Sequence, residues 1–244
     1  MDAILFFAAL LAVGALSGAT AAVLGFGIGS LLTPLLLTRL EPHLAVGVVA
    51  LPHLIATAIR FVQHRRWIDR AVLVRFGLPS AVGGLAGALL QDTLRSPMLI
   101  LVLAVLLVLT GIANLSGGFG GWRPGSAAAT VLGLLSGIFG GLVGNQGGLR
   151  AAGLTAFNLP PRPYLATSTA VALLIDAART PVYLLRGSDA LVPFVAPIAV
   201  ATLGCVLGTI AGERLFLRIP RERYRTVVGV AVIVLGAWLM LSSF

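Results

Sequence analysis

The chain has 244 residues, 58% of them hydrophobic and 10% charged, with a formal net charge of +9 and a mean hydropathy of +1.04. A soluble domain carries about 25% charged residues, so this composition excludes a protein whose surface faces water. The positive balance does not indicate nucleic-acid binding. The basic residues gather in two short loops, from His64-Arg65-Arg66 to Arg70 and from Arg214 to Arg225, as a positive-inside bias and anionic headgroups would produce.

The first apolar segment, 3–24, follows Met1-Asp2 with no basic n-region, so it is expected as a span and not as a cleaved signal. Its Gly14-Ala15-Leu16-Ser17-Gly18 is followed by Gly25-Phe26-Gly27-Ile28-Gly29 and a short segment at 28–38. Segments at 44–62, 70–90 and 97–115 complete a first half, 1–115. Residues 116–125, with Trp122, Arg123 and Pro124, form a linker whose Gly and Pro content does not sustain a helix. The second half, 126–244, has segments at 126–144, 148–157, 164–185, 190–211 and 224–243. Residues 99–115 and 227–241 carry no charge, and with their flanks they approach the roughly 20 residues that span a bilayer. Segments 28–38 and 148–157 are too short to cross at about 1.5 Å per residue. The expected fold is an all-α polytopic membrane protein, one membrane domain of about eight full transmembrane helices plus two short half-helices. The single cysteine, Cys205, is read as a small buried apolar residue.

The halves are related by a weak duplication. Gly133-Leu134-Leu135-Ser136-Gly137 and Gly144-Asn145-Gln146-Gly147-Gly148 stand 119 residues after the first pair of clusters, and the same offset joins Pro42 to Pro161 and Arg60 to Arg179. A repeated pair of interrupted apolar segments points to a transporter's binding site. With loop 63–70 in the cytoplasm, alternation places 116–125, 158–163 and 212–223 on the same side, with Arg123, Arg162, Arg214, Arg218, Arg221 and Arg223. The opposite loops hold Arg39, Arg95 and Arg186, each near an acid (Glu41, Asp92, Asp189). This bias requires five alternating segments per half, and an odd number inverts the second half relative to the first.

Clustered glycines weaken a helix and let backbone approach a ligand, and irregular backbone at membrane depth is tolerated only against a cavity or other protein. The breaks at Gly25, Gly27 and Gly29 and at Gly144, Gly147 and Gly148 therefore imply a lined cavity, unless the glycines serve helix packing alone. Half-helices starting near Ser30 and Leu149 would aim free N–H groups and positive dipole ends at the breaks, which makes an anion site. Ser30, Thr33, Asn145 and Gln146 supply side-chain donors. Arg150 is the strongest candidate, since an intramembrane Arg is costly and its fork matches an oxyanion face; the alternative is that it snorkels to the interface.

A second constellation lies on segments 44–62 and 164–185. His53, Thr57 and Arg60 share a helical face, and their counterparts are Ala172, Asp176 and Arg179. Asp176 and Arg179 stand at i, i+3 and can pair; the pair serves structure, substrate binding or proton coupling, and His53, Arg60, Asp176 and Arg179 together are the candidates for coupling or gating. His53 titrates near neutrality and is a candidate proton carrier or a structural group. Thr167, Ser168 and Thr169 line the cavity or bond their own helix.

These residues resemble the TauE/SafE family of membrane anion transporters, the sulfite exporter or TSUP family. The resemblance rests on Ser17-Gly18, Gly25-Phe26-Gly27-Ile28-Gly29 and Pro34, and on Trp67-Ile68-Asp69 to Gly83-Gly84-Leu85-Ala86-Gly87. A second copy of that last block runs from Gly187-Ser188-Asp189 to Gly204-Cys205-Val206-Leu207-Gly208. The resemblance covers nearly the whole chain. It implies export or uptake of small anions, chiefly sulfite, sulfonates and related organosulfur compounds, across the bacterial inner membrane. Asn145-Gln146, Arg150, and Gly153 in place of the Pro34 counterpart depart from the pattern and leave the particular anion open.

The expected function is secondary transport of a small anion by alternating access at a midplane site, with an anion channel or passive membrane subunit as the alternative. Without a His-Glu-x-x-His run, a Gly-x-Ser-x-Gly elbow or a Walker motif, no catalytic residues, metal or cofactor are expected. The expected partners are the anion, the lipid bilayer and a second copy in a homodimer, with no nucleic acid.

Overall fold

The computed structural model describes residues 3–94, 96–117, 123–215 and 221–242. Arg95, Trp122 and Arg218 of the charge and linker reading lie outside them. The described residues form ten helices: α1 (Ala3–Leu24), α2 (Ile28–Leu37), α3 (Pro42–His64), α4 (Arg70–Thr93, with a π turn at Leu73–Gly77), α5 (Ser96–Leu115), α6 (Ser126–Val143), α7 (Gly147–Leu154), α8 (Pro161–Leu191), α9 (Val195–Leu215) and α10 (Arg221–Ser242). They follow the ten apolar segments. Among the described residues, eight helices are long and apolar enough to cross a membrane. The 10-residue α2 and the 8-residue α7 are not, because at about 1.5 Å per residue they reach only about half of a 30 Å hydrocarbon core.

The long helices sort their residues by stripe. On α5, Leu99, Leu103 and Leu107 are buried while Leu101, Val105, Leu109 and Ile112 are exposed. On α10, Val228 and Val232 are buried and Val227, Val230, Val234, Trp238 and Leu241 are exposed. Both stripes are apolar, as expected where the outer solvent is lipid. Small residues then decide which helices meet. Gly14, Gly18, Gly204, Gly208 and Gly212 join α1 to α9, and a Cβ on Gly18 would fall within the Cys205 carbonyl. Gly133, Gly137 and Gly141 join α6 to α4 in the same manner.

The contacts also give directions. Gly14 meets Ala201 and Gly204, and Gly212 meets Ala19, so α1 and α9 run the same way. Gly133 meets Phe76 and Gly141 meets Gly84 and Ala88, so α6 and α4 do too. Gly236 meets Ala104 while Gly229 meets Asn114, so α5 and α10 run oppositely. Helices α3 and α8 are also opposed, with Gly47 against Leu191 and His53 on Asp176. The half-helices turn back along their predecessors. Arg39, just past α2, lies over the Phe6 ring of α1 at 4.4 Å; Gly153, near the end of α7, lies against Leu132 near the start of α6.

Candidate anion site at the crossed breaks

Each long helix that leads into a break ends on a glycine in the left-handed region, Gly25 at φ +84° and Gly144 at φ +73°. A side chain there costs about 1–2 kcal/mol. In each, the glycine N–H donates back four residues, Gly25 to Ala21 and Gly144 to Gly140, both at 3.0 Å. An arginine from a neighbouring helix caps the same carbonyl: Arg60 donates through Nη1 to Ala21 O at 2.7 Å, and Arg179 through Nη1 to Gly140 O. Every member of this unit recurs at the 119-residue offset. The duplication is therefore a duplicated hydrogen-bond scaffold.

The half-helices begin at Ile28 and Gly147, two residues earlier than the sequence suggests. Gly29, Gly147 and Gly148 sit inside them and are glycine for close approach. A Cβ on Gly29 would strike the Gly144 carbonyl, one on Gly147 the Phe26 ring, and one on Gly148 the Thr110 hydroxyl. The two breaks thus cross, each half-helix start lying on the other break. Neither start has a side-chain cap, so their first N–H groups keep the positive end of the dipole at the crossing.

Around the crossing the expected polar residues are buried together. Ser30 donates to Asn145 Oδ1 at 3.4 Å, linking the halves. Arg150 is 2% exposed and ties the first break to α8, through Nη2 to Gly25 O at 2.8 Å and through Nε to Ser168 Oγ at 3.0 Å. It lies inside the fold and does not snorkel. Thr167 is drawn elsewhere, accepting from the Asp69 N–H at 2.9 Å near the start of α4. Gln146 donates to Asp176 Oδ1 at 3.4 Å, while its own carbonyl accepts from Ser136 Oγ at 2.9 Å. Asp176 carries the i, i+3 pair with Arg179, at 3.0 Å from Nε and 2.9 Å from Nη2, and approaches His53 Nδ1 at 2.5 Å. Thr57 stands between His53 (3.3 Å) and Arg60 Nη2 (3.2 Å).

The charges at this core are unequal. Three guanidinium groups, Arg60, Arg150 and Arg179, are 2%, 2% and 0% exposed, and Asp176 is the carboxylate buried with them. Buried charges are normally paired. Several buried donors also have no hydrogen-bond partner among the described residues: Arg150 Nη1, Arg60 Nε, Asn145 Nδ2 and the Thr33 hydroxyl. A positive, donor-rich, buried crossing fits an oxyanion. No cluster of three or more His, Cys, Asp or Glu suited to a metal occurs among the described residues.

Two residues with a part in this geometry escape sequence reasoning. Tyr183 donates to Gly141 O, and Gln91 donates through Nε2 to Leu142 O at 2.9 Å. Gln91 follows the glycine block by four residues and Tyr183 lies one turn after Arg179, but neither carries a charge or a repeat signal.

An all-helical, multi-pass membrane protein with paired broken helices and a buried basic centre belongs structurally with membrane transporters. The chain matches the model of the sulfite exporter TauE/SafE family over residues 10–239, and it belongs to that family of transporters. Comparison with curated proteins and with solved structures gives no match to either.

Proposed function

We propose that this protein is a secondary transporter of a small anion, a sulfur oxyanion or sulfonate, bound at the crossing of the two breaks. The observation that carries this reading is the excess of buried guanidinium over carboxylate at the uncapped starts of two half-helices. Arg150 Nη1, Asn145 Nδ2 and the Thr33 hydroxyl are the donors assigned to the anion, with the N–H groups of Gly29, Ser30 and Gly148. His53, Asp176 and Arg179 are read as the coupling and gating group, because Asp176 competes with the anion for guanidinium.

The second half is read as an inverted copy of the first, and the site as the pivot of alternating access. The opposed directions of the counterpart pairs α3 and α8, and α5 and α10, support this. So does the exchange of partners between halves, α1 with α9 matching α6 with α4. The charge bias supports a cytoplasmic side for loops 63–70 and 158–163, and the membrane is read as a bacterial inner membrane.

The test is thermal unfolding of the purified protein in detergent against sulfite, sulfate, thiosulfate, taurine, sulfoacetate, acetate and phosphate. A ligand of the folded state at about 100 times its dissociation constant adds roughly 2.7 kcal/mol. Stabilisation by a sulfur anion that disappears in Arg150→Ala is the expected result; no shift with any anion refutes the reading. Saturable counterflow in proteoliposomes then separates a transporter from a channel.

A further inference from the structure

A cavity of about 280 Å3 opens between the start of α3, the end of α4 and the later part of α8, on the face opposite loops 63–70 and 158–163. Its rim carries His43, Asp92 and Arg186, and the last two are an exposed ion pair at 3.5 Å. Its wall includes Gln91 and Tyr183, which are 3% and 6% exposed. Both polar ends are occupied, and both by the same short stretch of backbone. Arg179, Tyr183 and Gln91 donate to Gly140 O, Gly141 O and Leu142 O, three consecutive carbonyls in the last turn of α6. The glycine break follows directly at Gly144.

Among the described residues, the first break has the first of these bonds, Arg60 on Ala21 O, and no counterpart of the other two. The counterpart of Tyr183 at the 119-residue offset is His64, which is paired with Glu213 at 2.9 Å. In the glycine block, where Gly83 matches Gly204, the counterpart of Gln91 is Gly212, which has no side chain. The two additional donors therefore act on the second break alone, on the side on which the cavity lies. Helix capping alone does not require them, since α1 ends without them.

We propose that Gln91 and Tyr183 are the gate between this cavity and the anion site, passing the anion from the cavity to Arg179. The proposal rests on the anion-transport reading. An anion cannot cross a dehydrated wall without donors. Donors already buried and bonded to carbonyls need only exchange one acceptor for another, and a charged acceptor makes a bond roughly twice as strong as a neutral one. As the anion moves inward, the Gln91 amide and the Tyr183 hydroxyl leave Leu142 O and Gly141 O, hold the anion, and return once Arg179 has taken it. Neither residue is charged, so neither retains the anion.

The test uses the full-length protein with Tyr183→Phe, Gln91→Met and the double variant, all close to the original volumes. Two readouts are taken in parallel with sulfite and with sulfoacetate, namely ligand-induced thermal stabilisation in detergent and counterflow in proteoliposomes. Each lost donor is expected to slow counterflow about tenfold, with stabilisation at saturating anion unchanged. Gln91→Glu, which turns a carboxylate toward the anion, is expected to abolish counterflow while keeping the fold. Wild-type counterflow in the double variant overturns the gate and leaves the anion site standing. Loss of stabilisation together with counterflow also overturns it, by making these residues part of the binding site. A wild-type protein with neither stabilisation nor counterflow for any anion of the panel overturns the anion reading and the gate with it.

Discussion

The two breaks share a backbone and differ in chemistry. Both turn on a left-handed glycine, both return its N–H to the carbonyl four residues back, and both place an arginine on that carbonyl. The first break is otherwise Phe26, Gly27 and Ile28; the second is Asn145, Gln146 and Gly147, followed by Arg150 where the first has Leu31. The arginines also differ. Arg179 has Asp176 as a counter-ion, whereas at the position equivalent to Asp176 the first half offers Thr57, a neutral hydroxyl. The two breaks share the part that holds the chain open and differ in the amides, the third arginine and the carboxylate. The first break is chiefly a scaffold and the second carries most of the site's polar groups.

The sharpest way to break this comparison is to remove the two equivalent arginines. Arg179→Ala leaves a buried carboxylate without its principal cation and is expected to cost about 3–5 kcal/mol. Arg60→Ala removes bonds to a carbonyl and a hydroxyl and is expected to cost about 1–3 kcal/mol. Equal shifts in the unfolding midpoint would show that Asp176 is not the distinguishing partner. Next in size is the crossing itself. Gly29→Ala drives a Cβ into the Gly144 backbone and is expected to cost about 3 kcal/mol, at the upper end of overpacking. Gly148→Ala meets only the Thr110 side chain and should be restored by Thr110→Ala; a failure of that rescue would point to a backbone constraint instead.

Smaller effects test the shared scaffold. Gly25→Ala and Gly144→Ala are expected to destabilise equally, by about 1–2 kcal/mol, since both force a side chain into the left-handed region. A difference larger than that range would mean that the two breaks are not conformationally equivalent. Least costly to the fold is Thr33→Val, which deletes a buried hydroxyl that has no partner. Stability should stay within about 0.5 kcal/mol of wild type, while anion affinity falls about tenfold, the cost of one hydrogen bond. Unchanged affinity in titrations would remove Thr33 from the site.

The ten apolar segments, the two breaks and the repeat offset were legible because each is a local property. A span needs a run of apolar residues, a half-helix is a short one, and duplicated glycines mark duplicated irregular backbone. The Asp176–Arg179 pair was legible for the same reason, its members being one turn apart. The glycines were only partly legible. The sequence treats Gly25, Gly29, Gly147 and Gly148 alike, yet Gly25 breaks the helix and the other three lie within helices, glycine because another chain segment occupies the place of a Cβ. Gln91 and Tyr183 were not legible at all. Their role depends on carbonyls 51 and 42 residues away in sequence.

By itself the sequence determined that this chain lives in a membrane, that its glycine clusters recur at a fixed offset, and where its helices fail, because hydropathy, spacing and glycine clustering act within a few turns of the chain. Only the tertiary structure decided that the two failures cross and that Arg150 from one half holds the carbonyl of Gly25 in the other. It likewise decided that His53 faces Asp176 across the halves. Those contacts join residues more than a hundred positions apart. Their geometry comes from small-residue packing between α1 and α9 and between α4 and α6, which no single segment encodes.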